Sequence, residues 1–393
     1  MKMRNCGRVS LLFTLFLIVP QQAAATTALY SLSYRARSAG MAGATLASGG
    51  FAGFPLSDNN FLIPAIGIAY PLEGTDWAFG FQLYGLGGDA ARFSLDDFEP
   101  PAGFGQDQRF RGNLVLITFG PSVSYKVTDK LSFGVTLQVT AGRLKLDQPF
   151  GTFAPPTSAR FRFRFNMDDY GFHYAFGGRL SATYRVTNWL TAAVAYQTPR
   201  EFNFDGEVRL TFPEGTGIDR VETHGTIPFS LPHQVDAGLA IRPVPKLLVE
   251  IGFSWIGWSA EAPFRTFKVK LYTPPEGFPS TLATPINWNE QYIYRIGTEY
   301  ELTSDLTIRA GYSYASNPVS APGAFLTFPA YGFQTLAVGT TWEITENWDI
   351  SLAFERAFPI SVKTRASTID AFHANSQEDH NQYSAQLQLG WSF

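Results

Sequence analysis

The sequence of 393 residues has few charges, one cysteine and few long apolar runs. Asp, Glu, Lys and Arg make up 16% of it, whereas about a quarter is usual for a soluble domain, so a surface that faces water everywhere is not expected. After residue 20 no apolar stretch approaches the roughly 20 residues that a membrane helix needs, which excludes a helical membrane protein. The single cysteine, Cys6, excludes a disulfide framework and a cysteine metal site.

Aromatic residues, in contrast, are abundant. The chain has 35 Phe, 17 Tyr and 8 Trp, and its mean hydropathy is −0.04. So many aromatic side chains exclude a disordered or collagen-like protein. The composition therefore predicts a large all-β protein, either soluble or a barrel in a membrane.

The N-terminus predicts export. The basic residues Lys2, Arg4 and Arg8 precede an apolar run at 11–19 and three alanines that end at Ala25. This order is typical of a secretory signal peptide over residues 1–25, and an uncleaved anchor is the alternative. Removal of these residues reduces the 30 basic residues to 27, against 33 acidic ones, a formal net charge of −6. An acidic chain argues against nucleic acid as a partner.

Short polar connections recur along the rest of the chain. The first five are spaced about 55 to 60 residues apart, the length of two tilted membrane strands and one long loop. Tight turns at one end and long loops at the other are typical of bacterial outer-membrane barrels. The connections are Glu73–Asp76, Thr128–Lys130, Thr187–Asn188, Pro243–Lys246, Thr303–Asp305 and Thr345–Asn347.

The segments between these turns alternate between apolar and small polar residues. In the last segment Leu387, Leu389 and Trp391 alternate with Gln386, Gln388 and Gly390, which assigns the two sets to opposite faces of a strand. The polar set carries too little charge for the outer face of a soluble barrel, so we expect the apolar set to face lipid. The C-terminal aromatic Phe393 fits the signal read by the barrel assembly machinery, and a soluble secreted β protein is the alternative.

Six turns join twelve strands, and the C-terminal strand makes thirteen. Single-chain bacterial barrels have an even number of strands, so one more is expected from residues 26–60. The predicted fold is an antiparallel transmembrane β-barrel of about 14 strands.

Several stretches resemble the FadL family of outer-membrane channels for long-chain fatty acids and aromatic hydrocarbons. They are RARSAGMAGATLASGG (35–50), NNFLIPAIGIAYPL (59–72), PSVSYKVTDKLSFGVTLQ (121–138), WNEQYIYRIGTEYELTSDLTIRAGYSYASNPV (288–319) and VGTTWEITENWDISLAF (338–354). The resemblance implies a barrel over residues 59–393 and a shortened hatch, or a first strand, over residues 26–58. It also implies that hydrophobic molecules pass through an outer groove, an inner pocket and a lateral opening.

Two segments, 147–169 and 199–230, correspond by this resemblance to the loops of the outer groove. Exposed apolar clusters on loops usually mark a contact surface, so their phenylalanines are candidate ligand contacts. Packing of the two loops against each other is the alternative. These phenylalanines are Phe150, Phe153, Phe161, Phe163 and Phe165 in the first segment and Phe202, Phe204, Phe212 and Phe229 in the second.

Arginines are candidate ligands for a fatty-acid carboxylate, because a guanidinium can hold a carboxylate bidentately. Alternation directs Arg179, Arg295 and Arg309 into the lumen, where Asp236, Glu250, Glu299 and Glu355 also point, so a structural ion-pair network is the alternative. Arg143 and Lys145 resemble a basic pair of the family, but their parity matches the lipid-facing set.

The third predicted strand contains Gly85, Gly87 and Gly88. Glycines within a strand weaken the ladder and permit a kink. A kink in this strand opens the wall sideways in the family that the chain resembles. These glycines are therefore candidates for a lateral opening, and a strand end at the rim is the alternative.

An enzyme is not expected. The five histidines are scattered, no metalloprotease, nucleophile-elbow or P-loop motif occurs, and Ser376, Asp379 and His380 in one polar loop indicate solvation rather than a triad. We expect a monomeric outer-membrane channel of a Gram-negative bacterium, without cofactor or metal, whose partners are a hydrophobic small molecule or fatty acid and outer-membrane lipid. A general porin or a surface-adhesion barrel is the alternative.

Deletion of residues 35–50 tests the hatch. We expect a barrel that still assembles and conducts ions more readily in planar bilayers, because a plug has been removed. Unchanged conductance contradicts a plug, and loss of assembly indicates that this stretch supplies a strand.

Overall fold

The computed structural model describes residues 13–16, 41, 66–93, 110–154, 159–212, 220–320, 323–324, 330–363 and 377–391. These residues form antiparallel strands with very little helix. The strands are β1 (Phe13–Phe16), β2 (Ile66–Pro71), β3 (Trp77–Phe93), β4 (Phe110–Lys126), β5 (Leu131–Ala154), β6 (Ala159–Asp169), β7 (His173–Arg185), β8 (Leu190–Gln197), β9 (Arg200–Thr211), β10 (Arg220–Leu231), β11 (Gln234–Val244), β12 (Leu247–Ile256), β13 (Thr266–Leu271), β14 (Thr281–Pro285), β15 (Gln291–Glu301), β16 (Leu306–Ala315), β17 (Gln334–Glu343), β18 (Trp348–Lys363) and β19 (Gln377–Trp391).

Thirteen of these strands form one continuous antiparallel sheet, here called the wall. Its order is β2-β3-β4-β5-β7-β8-β11-β12-β15-β16-β17-β18-β19. All six predicted turns join neighbouring strands of the wall, so the turn prediction is confirmed. Among the described residues no helix is long and apolar enough to span a membrane.

Four of the turns use threonine in the same way. The threonine Oγ1 accepts a hydrogen bond, at 3.0 to 3.1 Å, from the backbone N–H three residues further on. A hydroxyl that satisfies a backbone donor stabilises a tight turn. These threonines are Thr128, Thr187, Thr303 and Thr345.

The two faces of the wall differ as the alternation predicts. Leu137 is 60% exposed while the next residue, Gln138, is 2% exposed. On β18, Leu352 is half exposed and Ser351 is buried. Many apolar side chains thus point away from the protein, an arrangement that suits lipid and not water.

Aromatic side chains gather near the turns. The rings of Trp77 and Tyr125 lie 4.5 Å apart, and those of Trp348 and Trp391 lie 6.0 Å apart. Trp and Tyr prefer the membrane interface because one end of each ring system is apolar and the other polar. The aromatic side chains near the turns are therefore typical of the girdle that lies at a membrane interface.

The additional strand expected from residues 26–60 lies outside the described residues, of which only Met41 belongs to that stretch. A further strand, β1, at positions 13–16 of the predicted signal peptide, pairs with β19 from Phe13 opposite Leu389 to Phe16 opposite Gln386. An apolar segment can satisfy the open edge of β19. Cleavage after Ala25 would remove β1 and leave this edge to a later segment.

A second sheet branches from the wall at β5. Residues 131–142 of β5 pair with β7, whereas residues 145–154 pair with β6. From there the pairing continues through β9, β10, β13 and β14. We call β6, β9, β10, β13 and β14 the branch sheet. The segments 147–169 and 199–230, expected to be loops, therefore consist largely of strands, because their own residues also alternate with period 2.

Candidate functional site

The inner face of the branch sheet is aromatic and buried. Phe163, Phe165, Phe202 and Phe204 are each at most 2% exposed, and Phe212 is 7% exposed. The expectation of exposed phenylalanines is therefore wrong for these five, since they pack into one core with the wall. Phe229 packs against the same core, and Phe150, Phe153 and Phe161 lie on β5 and β6, where only the backbone is described.

Six aromatic side chains, of which five are buried and Phe229 is partly buried, form a continuous series, here called the aromatic ladder. Phe202 and Phe204 stack with ring centroids 5.3 Å apart, and both contact Phe229. The ladder continues through Phe264 to a pair of tryptophans. Phe264 belongs to a short helix, α1 (Ala262–Arg265), between β12 and β13. The tryptophans are Trp258 and Trp288, whose centroids lie 5.4 Å apart.

The inner face of β4 and β5 changes character along the strands. Gln138 and Thr140 are buried on the half of β5 that is nearer the turns, and Leu144 and Leu146 are buried on the same face further along. On β4 the same change runs from Thr118 to Leu116 and Leu114. The apolar half and the ladder belong to one cluster of buried apolar side chains, here called the apolar compartment, at the end of the wall opposite the turns.

The predicted lumen charges lie on the buried face, and three of them belong to one hydrogen-bonded network. Arg179 Nη2 lies 2.7 Å from Asp236 Oδ2. Asp236 also accepts a hydrogen bond from Ser254, whose Oγ in turn accepts one from Arg295 Nη1 at 2.7 Å. Two of the candidate arginines therefore belong to one network centred on a carboxylate, and this favours the structural alternative.

Arg309 is also paired. Its Nε donates to Glu299 Oε2 at 2.7 Å, and its Nη1 donates to Thr341 Oγ1 at 2.6 Å. On the neighbouring strands Glu355 accepts a hydrogen bond from Ser384, and Glu250 is buried. Arg309 thus neutralises a carboxylate that neighbouring strands enclose.

The basic pair on β5 faces outward. Arg143 Nε lies 3.0 Å from Asp169 Oδ1, and Lys145 Nζ lies 2.6 Å from Asp168 Oδ1. Both partners are at the end of β6. Arg143 is therefore directed away from the interior as its parity requires, and it links β6 to the wall instead of facing an inner pocket.

The outer face of the branch sheet is polar. Arg209 and Arg220 both donate to Glu222. The hydrogen bonds from Arg220 and then Arg209 hold the pKa of Glu222 below its usual range. The sheet thus presents charge to water on one face and aromatic rings to the core on the other.

The glycine-rich part of β3 contains a β-bulge. Gly85 lies opposite Ile117 and Gly87 opposite Leu116, so Leu86 is an extra residue. The strand continues through Gly88 to Phe93 with its partners on β4, which excludes the alternative of a strand end. A bulge bends a strand and increases its local twist. A bulge therefore lies where the glycines predict a kink, and its extra residue is two positions beyond Tyr84.

Arg200 is an interior residue that the sequence patterns do not identify. It begins β9 with 0% of its surface exposed, and its Nη1 donates to Thr118 Oγ1 at 3.2 Å and to Thr140 Oγ1 at 2.7 Å. Its partners lie 82 and 60 residues away in the chain. Only the alternation of Arg200 with Phe202 and Phe204 would have predicted that it points inward.

Metal chemistry has no support in the described part of the chain. No group of three His, Cys, Asp or Glu side chains there could hold an ion. His173 contacts Phe204, and His233 lies beside Tyr196 and Glu261. These histidines make separate contacts, and the site consists of apolar, amide, hydroxyl and guanidinium groups.

The substitution Arg309→Gln tests the structural role of the ion pair. Removing one partner of a buried pair costs about 3 to 5 kcal/mol, so we expect a lower melting temperature in detergent and partial recovery in Arg309→Gln/Glu299→Gln. At matched protein levels the ratio of oleate uptake to toluene uptake should not change. A selective loss of oleate uptake would show instead that Arg309 binds a carboxylate.

Comparisons of sequence agree with this architecture. A family model described as outer membrane protein transport protein (OMPP1/FadL/TodX) matches residues 29–389. A long-chain fatty acid transport protein of Escherichia coli O6:H1 is 21% identical over 275 residues, 61% of this chain and 58% of that protein. Its counterpart in Salmonella typhi is 20% identical over 277 residues, 64% of this chain and 61% of that protein. These alignments span less than two thirds of either relative.

Solved structures share the fold. The toluene transporter TodX of Pseudomonas putida has a TM-score of 0.68 at 18% identity, with 99% of this chain and 90% of that chain covered. For the toluene transporter TbuX of Ralstonia pickettii the TM-score is 0.68 at 19% identity, with 100% and 90% covered. A transport family agrees with the expectation that the chain is not an enzyme. The chain belongs to the outer membrane protein transport protein family of FadL and TodX.

Proposed function

We propose that this protein is an outer-membrane channel for passive, selective uptake of hydrophobic compounds, either long-chain fatty acids or aromatic hydrocarbons. The observation that carries the proposal is the apolar compartment formed by the aromatic ladder and the apolar half of the inner face of β4 and β5. A ligand enters beside the branch sheet, passes the compartment and leaves sideways at the bulge in β3.

The compartment argues against a general porin. A porin needs a wide, water-filled lumen lined by charge, whereas here Phe163, Phe204 and Leu144 belong to one buried apolar cluster at one end of the wall. Further along the inner face, Arg179 and Arg309 are each paired with a carboxylate. An interior of this kind favours molecules that gain free energy by leaving water.

A hatch inside the wall completes the proposal. Met41, in the segment 35–50, is fully buried. A Cβ placed on Gly297 of β15 would lie 2.7 Å from the Cβ and backbone oxygen of Met41, and Gly297 belongs to the buried face of its strand. The contact supports a hatch against the inner face, which would keep ions from crossing while the channel is idle.

A closed barrel of fourteen strands follows if the mature chain supplies a strand beside β19. In the signal-peptide hypothesis β1 is absent after cleavage, and residues 26–58 are the next available segment. Closure is required because an open strand edge in lipid leaves backbone donors and acceptors unsatisfied.

The lateral opening is proposed at the bulge. Leu86 is the unpaired extra residue, and glycines flank it. Glycine adds no side chain that could block a passage, and a bulge interrupts the ladder that otherwise seals two strands.

Solute selectivity tests the proposed function. In proteoliposomes the intact protein should admit oleate and toluene while arabinose passes no faster than in protein-free vesicles. A matched general porin serves as the control for arabinose. Rapid arabinose flux without uptake of hydrophobic solutes would contradict the proposal and favour a porin.

Deletion of Leu86 tests the lateral opening. The deletion removes the bulge and keeps the pairing of β3 with β4 on both sides, so the wall should remain folded and uptake of oleate and toluene should fall by about tenfold or more. Leu86→Ala, which keeps the extra residue and therefore the bulge, is the control and should transport normally. Full activity without Leu86 would rule out an exit at this position.

A further inference from the structure

We propose that Arg200 is the head-group site for an anionic hydrophobic ligand, a carboxylate that carries an apolar tail. This inference deepens the proposed function, on which it rests, by naming the ligand class and the residue that selects it. Arg200 does not belong to the ion networks around Asp236 and Glu299 described above.

Arg200 lies over a row of residues that face one another across four strands. Tyr84 of β3 is opposite Thr118 of β4, Thr118 is opposite Thr140 of β5, and Thr140 is opposite Ala175 of β7. All four side chains are buried. The row separates the polar half of the inner face, nearer the turns, from the apolar half that lines the compartment.

The guanidinium of Arg200 is only partly satisfied. Nη1 donates to two hydroxyls, whereas Nε and Nη2 are buried and have no hydrogen-bond partner. Within the described ranges no carboxylate pairs with it. A buried charge without a counter-ion is costly, and in the membrane-spanning part of a protein such a residue usually serves function. Nε and Nη2 are the two donors that a guanidinium offers side by side to a carboxylate.

Neighbouring amides add to the site. Gln138 Nε2 donates to Tyr84 Oη and to Gln197 Oε1, each at 3.3 Å. Gln197 Nε2 and Gln138 Oε1 are buried and have no partner. A carboxylate on Arg200 would leave two oxygens with further acceptor capacity, and the free amide hydrogens of Gln197 match that requirement.

The tail has an apolar environment next to this head-group site. Arg200, Phe202 and Phe204 share the buried face of β9. A Cβ on Gly142 would lie 2.8 Å from Phe202 Cε1, so the two phenyl rings pack directly onto the wall. Polar groups at one end and aromatic rings at the other match a molecule with a charged head and an apolar tail.

The absence of a side chain at Gly177 leaves the space that the stem of Arg200 occupies. A Cβ at Gly177 would lie 2.6 Å from Arg200 Cγ and 2.8 Å from Thr198 Oγ1, whereas a Cβ at the adjacent Gly178 would meet nothing closer than 3.5 Å. The stem of Arg200 therefore runs across β7 where a side chain is missing, and its head reaches β5 and β4. This difference supplies a matched pair of variants.

The experiment measures binding of radiolabelled laurate and of 1-dodecanol to the full chain in nanodiscs at about pH 8, where a carboxylate is ionised. Arg200→Gln should weaken laurate binding by about ten- to hundredfold, because two charge-assisted bonds are lost, and should leave dodecanol binding within about twofold. Phenylpropionate and toluene form the aromatic pair of probes, which distinguishes a fatty acid from an aromatic acid as the source of the carboxylate.

Two glycine variants distinguish loss of the head-group site from a folding defect in Arg200→Gln. Gly177→Ala displaces the stem of Arg200 and should lower the affinity for laurate, whereas Gly178→Ala should bind laurate and dodecanol as the unaltered protein does. Equal losses for laurate and dodecanol, or normal laurate binding in both Arg200→Gln and Gly177→Ala, would overturn the head-group site. In either case uptake of toluene by the unaltered protein still tests the channel independently.

Discussion

The structure depends on one constraint, which is that a chain inside a lipid bilayer must satisfy its backbone hydrogen bonds by itself. Antiparallel pairing along thirteen wall strands meets that constraint, and alternation then follows, because every second side chain must face lipid. The side chains of the inner face do not contact lipid. It can therefore hold groups as different as the Asp236 network, the row below Arg200 and the aromatic ladder.

The inner face balances charge in two different ways. Near Asp236 and Glu299 each carboxylate has an arginine within 2.7 Å, and hydroxyls of Ser254 and Thr341 extend the contacts. Arg200 instead contacts neutral hydroxyls. Arg179 and Arg309 are paired with carboxylates, whereas no carboxylate among the described residues pairs with Arg200, so its positive charge lies beside the apolar compartment. Such a charge attracts anions over neutral molecules of the same shape.

Local patterns in the sequence predict the wall well and the branch sheet poorly. The polar turns and the outward leucines of β5 and β18 depend on residues close together in the chain, and the structure has both where the sequence predicts them. The glycines of β3 are likewise a local signal, and a bulge lies among them. The pairings of β5 with β7, β8 with β11 and β12 with β15 skip the branch strands. No local pattern specifies such long-range pairings. The segment from Arg200 to Thr211 does alternate, but its membership of a second sheet, and hence its burial, depends on partners from distant segments.

The length of β5 has a mechanical consequence. This strand of 24 residues belongs to the wall in its first half and continues to the branch sheet in its second, and β4 accompanies it from Lys126 to Arg111. The wall and the branch sheet therefore share one strand and are not joined by a flexible linker. From Thr140 of β5 the pairing passes to Thr118 of β4 and to Tyr84 of β3, next to the bulge, so one hydrogen-bonded ladder connects the branch sheet to that bulge.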